Sequence, residues 1–288
     1  MRRCLRQLGC AAAALALSAA PGATALECGE VAPDASRIAV AGGSLTEILY
    51  ALGEEARIVA VDSTATYPAA ARELPQIGYV RSLSAEGLLS LQPTLILGEH
   101  DMGPPQVVDQ LETLGLDLLV VPERFDAAGV AAKVRCVATA VGREAAGAAL
   151  AGELLAAGAE TEPTPGAPRG LVLLGLRGGS PVAAGRDTSG SGLLAMAGAR
   201  NALSGFAGWK PVSEEALAAA APAFIVIPER GVADAGGLEA LLAHPALRLT
   251  PAARERRVIA MDGMAMLGFG PRTVAAAERL REGLERAP

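Results

Sequence analysis

Residues 37–61 read RIAVAGGSLTEILYALGEEARIVAV, and the change of pattern inside that stretch decides the fold class. Arg37 to Val40 is a short apolar run without polar alternation, as expected of a strand buried on both faces. Gly42, Gly43 and Ser44 turn it into an apolar helix, Leu45 to Leu52; Gly53 stops that helix, and Ile58 to Val61 starts the next strand. Strand, turn, helix, strand is the unit from which parallel sheets covered by helices are built, so the expected class is α/β.

Working downstream, the unit recurs. Ser84 caps Ala85 to Leu91, Pro93 punctuates, and Leu95 to Leu97 reads as a strand; a third cycle runs from a helix around Val107 to Leu114 into Leu118 to Val121. In such sheets the binding edge is the row of loops after the strands' C-terminal ends. From Ala127 to Gly158 the chain becomes alanine-rich without proline, which predicts a single helix of more than 25 residues. Residues 161–168 (TEPTPGAP) form a loop, and a second α/β series follows with Leu171 to Leu174, Phe224 to Ile227 and Val258 to Ala260. The expected architecture is two Rossmann-like lobes, 26–125 and 161–288, joined by a long interdomain helix at 126–160, with a ligand cleft between stiffly related lobes.

Working upstream, Arg2, Arg3 and Arg6 precede the apolar run Ala11 to Ala20, and Ala23-Thr24-Ala25 offers a small-residue cleavage site. This reads as a secretory signal at 1–25, too short to span a bilayer, for which roughly 20 apolar residues are needed. Cys28 is preceded by Ala25-Leu26-Glu27, a poor lipoprotein site. Cleavage removes three arginines and no acid, taking the formal charge from -6 to -9, a surface that repels nucleic acid. Cys4 and Cys10 leave with the signal; Cys28 and Cys136 remain, either as one bridge or as two free thiols.

Catalytic groups are scarce. The chain has two histidines, His100 and His244, and no Ser-His-Asp order, His-Glu-x-x-His helix or phosphate loop, so enzymatic function is not expected. The loop from Asp62 to Arg81 is richer: two of the chain's three tyrosines, Tyr67 and Tyr79, fall in it. A phenolate is a hard ligand suited to ferric iron, and Arg81, two residues on, is placed to donate to Tyr79 or to reach a ligand carboxylate. From the residues alone, Tyr79 is a metal ligand or an ordinary hydrogen-bonded cleft tyrosine. An internal echo adds a further pair: in Ser84 to Pro93 and in Ser213 to Pro222 the proline lies nine residues after the serine and seven after a glutamate, Glu86 or Glu215. Capping explains each glutamate locally.

Ile38 to Gly53, Val61 to Thr64 with Tyr67-Pro68, Leu74 to Gly87, Gly103-Pro104-Pro105 and Ala184 to Thr188 together resemble the periplasmic haem-binding proteins of bacterial haem-uptake ABC transporters. These form part of a group that also includes vitamin B12 and ferric siderophore binding proteins. The Gly-Tyr-x-Arg-x-Leu-Ser-Ala-Glu-Gly segment, 78–87, is the most specific match. The resemblance implies that Tyr79 is the axial ligand of ferric haem, with Arg81 as its neighbour or as a propionate contact, and Arg186 as a propionate contact or part of an Arg186-Asp187 network. Some relatives add a histidine at the region of Arg177 to Pro181; none is present here, which implies five-coordinate haem with His100 as an outside candidate. It also implies docking of Glu86 and Glu215 on an inner-membrane permease dimer, a monomeric carrier in the periplasm and an outer-membrane haem receptor upstream. The same role for a corrinoid or siderophore is the alternative, with a haem chaperone or haem enzyme behind it.

Overall fold

The computed structural model describes residues 26–158, 163–177 and 179–286; the expected signal segment lies outside them. No described helix is long and apolar enough to cross a membrane.

The first lobe is built from β1 (Ile38–Ala41), α1 (Gly43–Ala51), β2 (Ile58–Val61), a small antiparallel hairpin β3 (Gly78–Tyr79) and β4 (Ser82–Leu83), α2 (Ala85–Ser90), β5 (Leu95–Glu99), α3 (Pro105–Thr113) and β6 (Asp117–Val121). Its sheet is wholly parallel in the order β2-β1-β5-β6. Every residue of β1 is buried, as its unalternating apolar run requires. The turn into α1 works only with glycine: a Cβ on Gly43 would stand 2.4 Å from the Thr64 carbonyl oxygen, and one on Gly42 would strike Glu99.

The alanine-rich stretch is two helices and not one. The helix α4 (Ala127–Ala140) is capped by Asp126, which accepts from the Gly129 N–H at 2.5 Å, and α5 (Glu144–Ala157) folds back along it. Gly142 adopts φ 70° at the break, and the Arg143 N–H closes on the Ala138 carbonyl at 2.7 Å, the hydrogen-bond pattern of a glycine-terminated helix. Gly147 lets the two helices approach, since an added Cβ would lie 2.2 Å from that of Ala138. The inner face of α4 joins the first lobe's core, and Cys28 and Cys136 form a disulfide that fastens the N-terminal tail to this helix.

The second lobe comprises β7 (Arg169–Arg177), β8 (Ser180–Ala184), α6 (Ser189–Met196), β9 (Arg200–Asn201), β10 (Trp209–Pro211), α7 (Glu214–Ala220), β11 (Phe224–Pro228), α8 (Glu229–Asp234), α9 (Leu238–Ala243), α10 (Pro251–Arg254), β12 (Val258–Met261), α11 (Gly263–Leu267) and α12 (Pro271–Arg286). Its sheet runs β10-β8-β7-β11-β12 with β9 beside β7. The strands β7, β11 and β12 are parallel, whereas β8 is antiparallel to β7 and β10 to β8.

The lobes meet at three kinds of contact. Phe125 packs edge-on to Phe269, with ring centres 5.1 Å apart. Lys133, fully buried on α4, reaches the Gly268 carbonyl at 3.3 Å. Arg272, at the start of α12, pairs with Glu47 of α1 at 2.6 Å and lies over the Tyr67 ring, 4.1 Å from its centre.

Candidate ligand-binding site

The β3–β4 hairpin is held by its surroundings from three sides. Asp62, fully buried at the end of β2, accepts from the Thr64 hydroxyl at 2.7 Å and from the Thr64 and Val80 N–H groups at 3.1 Å each. Desolvation pushes the Asp62 carboxyl up, and these bonds from Thr64 and Val80 work against the rise. Ser63 N–H donates to the Gly78 carbonyl at 2.7 Å, and the loop after β5 joins through Gly103 N–H to Val80 O at 2.9 Å and Leu83 N–H to Gly103 O at 2.8 Å. With Val80 turned inward, Tyr79 is left 43 % exposed.

On that rigid base the Arg81 Nη1 donates to the Tyr79 hydroxyl oxygen at 2.8 Å, and its Nε donates to Asp101 Oδ2 at 2.7 Å, with Nη2 bonded to the same oxygen. Burial disfavours the Arg81 charge, but Asp101 and Tyr79 outweigh it and hold the guanidinium more firmly protonated than usual. The Tyr79 side chain is thus exposed, with its oxygen oriented by a hydrogen bond from a cation. The expected neighbourhood of Tyr79 and Arg81 is present, and Asp101 is a member that sequence reading missed.

A cavity of about 450 Å³ opens between the lobes. Thr64, Thr66 and Arg72 wall it from the first lobe; Leu174, Glu229, Arg230 and Met264 are among its walls from the second. Its size falls within the range of roughly 300–1,000 Å³ usual for small-molecule sites. Tyr79 does not line it but shares the 62–81 loop with its first-lobe wall. Tyr67, Tyr79 and Leu174 are large apolar side chains left exposed around this region.

Arg186 stands elsewhere. The register of β8 sets Ser180 opposite Arg177 and Ala183 opposite Leu173, so the chain beyond Ala184 runs toward the start of β7, away from the strand ends that wall the cavity. The expected second-lobe contact, Arg186, is not among the residues that wall this cavity: β8 is antiparallel and carries the chain back along β7. Among the described residues no Arg186-Asp187 ion pair occurs, and the backbone N–H of Arg186 bonds to Phe206 O at 2.7 Å. The guanidiniums that do face the cavity are Arg72 and Arg230.

His100 makes an edge contact with Phe125 and brings a ring nitrogen within 4.8 Å of carboxylate oxygens of Glu99 and Glu123. Those two carboxylates already share the Lys133 ammonium, so the cation at that cluster is the lysine. Burial pushes the Glu123 carboxyl up to about 7, Lys133 opposing and Glu99 adding to the rise.

Glu86 and Glu215 occupy the same place on equivalent units. Each is exposed at the second position of a helix whose cap serine, Ser84 or Ser213, accepts from the N–H three residues on at 3.3 Å. The likeness extends to the backbone: the residues before Pro93 and Pro222, Gln92 and Ala221, adopt φ 48° and φ 45°. Thr94 N–H and Ala223 N–H then bond to Arg37 O and Arg169 O, each at 2.8 Å. Bonding to Ser213 holds the Glu215 carboxyl below its usual range.

A family model described as periplasmic binding protein matches residues 38–265. The chain belongs to the periplasmic binding protein family. Within this family, solved structures similar to it include the periplasmic haem-binding protein BhuT in complex with two haems, 42 % identical with TM-score 0.79, covering 86 % of this chain and 97 % of that one. Another is the periplasmic haem-binding protein RhuT from Roseiflexus sp. RS-1 in apo form, 38 % identical with TM-score 0.81, covering 87 % and 98 %. The periplasmic haem-binding protein HutB of Vibrio cholerae is 31 % identical with TM-score 0.77, covering 87 % and 99 %. A curated relative, the vitamin B12-binding protein of Yersinia pestis (strain Pestoides F), is 33 % identical over 84 residues, 29 % of this chain, so the match spans under a third (30 %) of that protein's length. The ligands named for these relatives are haem and vitamin B12.

Proposed function

We propose that the protein captures ferric haem between its lobes, with Tyr79 as the axial iron ligand, and delivers it from the periplasm to an inner-membrane ABC permease. The observation that carries this reading is the exposed Tyr79 hydroxyl fixed by Arg81 at 2.8 Å, on a chain whose relatives of 31–42 % identity are haem-binding proteins. Tyrosine is an established haem-iron ligand, and its anionic oxygen prefers the ferric state. Binding combines that directional bond with burial of the porphyrin faces against the apolar side chains of the cleft. Arg72 and Arg230 on the cavity walls are suited to the propionates, since a guanidinium matches a carboxylate in charge and shape. Glu86 and Glu215 present one carboxylate per lobe to two equivalent permease subunits. The protein's own part is binding and presentation, without a chemical step.

The absorption spectrum of ferric haem bound to Tyr79→Ala, beside wild type, tests the assignment. Loss of the tyrosinate spectrum and a large fall in affinity are expected; an unchanged spectrum and affinity would sink the reading. A corrinoid cargo is the second reading, supported by the curated vitamin B12-binding relatives. It predicts that the wild type binds a corrinoid more tightly than haem and that Tyr79→Ala leaves that binding intact.

A further inference from the structure

Arg81 has two possible targets in a haem cleft: the phenol oxygen of the iron ligand, or a carboxylate on the porphyrin edge. We propose that Asp101 is a positioning residue that commits Arg81 to the Tyr79 oxygen, so that Arg81 acts on the iron ligand and not on the carboxylates of the cargo. This rests on the haem reading above.

The geometry is specific. A guanidinium is a rigid planar fork, so fixing one edge fixes the direction of the remaining nitrogen. Asp101 Oδ2 takes both Nε and Nη2 of Arg81, and the nitrogen left over, Nη1, is the one that meets Tyr79 at 2.8 Å. The Arg81 side chain is 60 % exposed, so without this partner it would be free to sample many rotamers. Asp101 is itself placed by backbone: it lies in the turn closed by Met102 N–H to Glu99 O at 2.9 Å, directly before the Gly103 that bonds the hairpin at both Val80 and Leu83. The carboxylate and the guanidinium therefore ride on two loops locked to each other, a preorganised arrangement of the kind a ligand site needs. The cavity walls meanwhile carry other guanidiniums, Arg72 and Arg230, for anionic groups.

The test uses the full mature protein loaded with ferric haem. Asp101→Asn, which keeps the shape and removes the charge, is expected to shift the tyrosinate-to-iron charge-transfer band and to speed haem transfer to apomyoglobin by about tenfold, the size of one charge-assisted hydrogen bond at its lower end. Asp101→Glu should recover most of both effects, which a merely structural role would not do. In a second arm, Arg81→Ala should lose the same factor in affinity for haem and for its dimethyl ester, because Arg81 is engaged with Tyr79. Wild-type band and transfer rate in Asp101→Asn would overturn the proposal, as would an Arg81→Ala penalty that vanishes with the ester. An unchanged spectrum in Tyr79→Ala would remove the parent reading and this one with it; loss there beside a wild-type Asp101→Asn removes only the role of Asp101.

Discussion

At the scale of single residues, the buried Lys133 and its carboxylates set an expectation about pH. The Lys133 ammonium is fully buried between Glu99 and Glu123, with Ser44 and Gly268 completing its bonds. One lysine cannot neutralise two acids, and burial raises the second, Glu123, to about 7. A carboxyl with a raised native pKa binds more protons folded than unfolded, so its contribution is fully present below about pH 4.5 and is lost as pH rises through about 7. Glu123→Gln, which mimics the protonated form, should flatten this part of the profile and stabilise the protein above pH 7 by on the order of 3 kcal/mol relative to wild type. Thermal unfolding from pH 5 to 8 reads it, and equal slopes in the two proteins would refute it. None of this network was legible in the sequence: Lys133 stood there as a charge punctuating an alanine run, and its side-chain partners Glu99, Glu123 and Ser44 lie 34, 10 and 89 residues away. Tyr79 and Arg81 were legible because they are two residues apart, whereas Asp101 lies 20 from Arg81 and is brought there by strand order alone.

At the scale of elements, the strands and capped helices were the readable part, since their signals are local. The long linking helix was the misreading, because alanine favours helix everywhere and carries no information about where a helix should stop. Isolated glycines did: Gly142 ends α4 and Gly147 admits α5 against it. Gly147→Val should force the pair apart and cost about 2 kcal/mol, lowering Tm by roughly 4–8 °C in a protein of this size; calorimetry checks it. The antiparallel β8 was likewise unreadable, because a reversal of strand direction leaves no local signal in its apolar run. The repeated cap-helix-proline units were readable as spacing, and the matching φ values of Gln92 and Ala221 show how far the likeness extends. If the two glutamates dock as equivalents, Glu86→Ala and Glu215→Ala should each lower permease-dependent haem uptake in reconstituted vesicles while leaving haem affinity unchanged. A loss of haem affinity in either variant would argue against the docking role.

At the scale of the whole molecule, stiffness was expected from one long helix, and the described structure has two shorter helices in its place. The lobes are joined by side chains: Phe125 against Phe269, Lys133 on Gly268, and Arg272 between Glu47 and Tyr67. These contacts would have to break for a wide hinge motion, so the haem-loaded and haem-free forms should differ by a small rotation of one lobe on the other. Small-angle scattering of the two forms should give superimposable curves, and a clear compaction on loading would contradict it.

Arg272 has a consequence of its own. It salt-bridges Glu47 in the first lobe and Asp262 in the second, at 2.6 and 3.1 Å, while the Tyr67 ring it covers follows the cavity-wall residue Thr66. Cargo pressing on that ring would be felt by both halves of the molecule through one guanidinium.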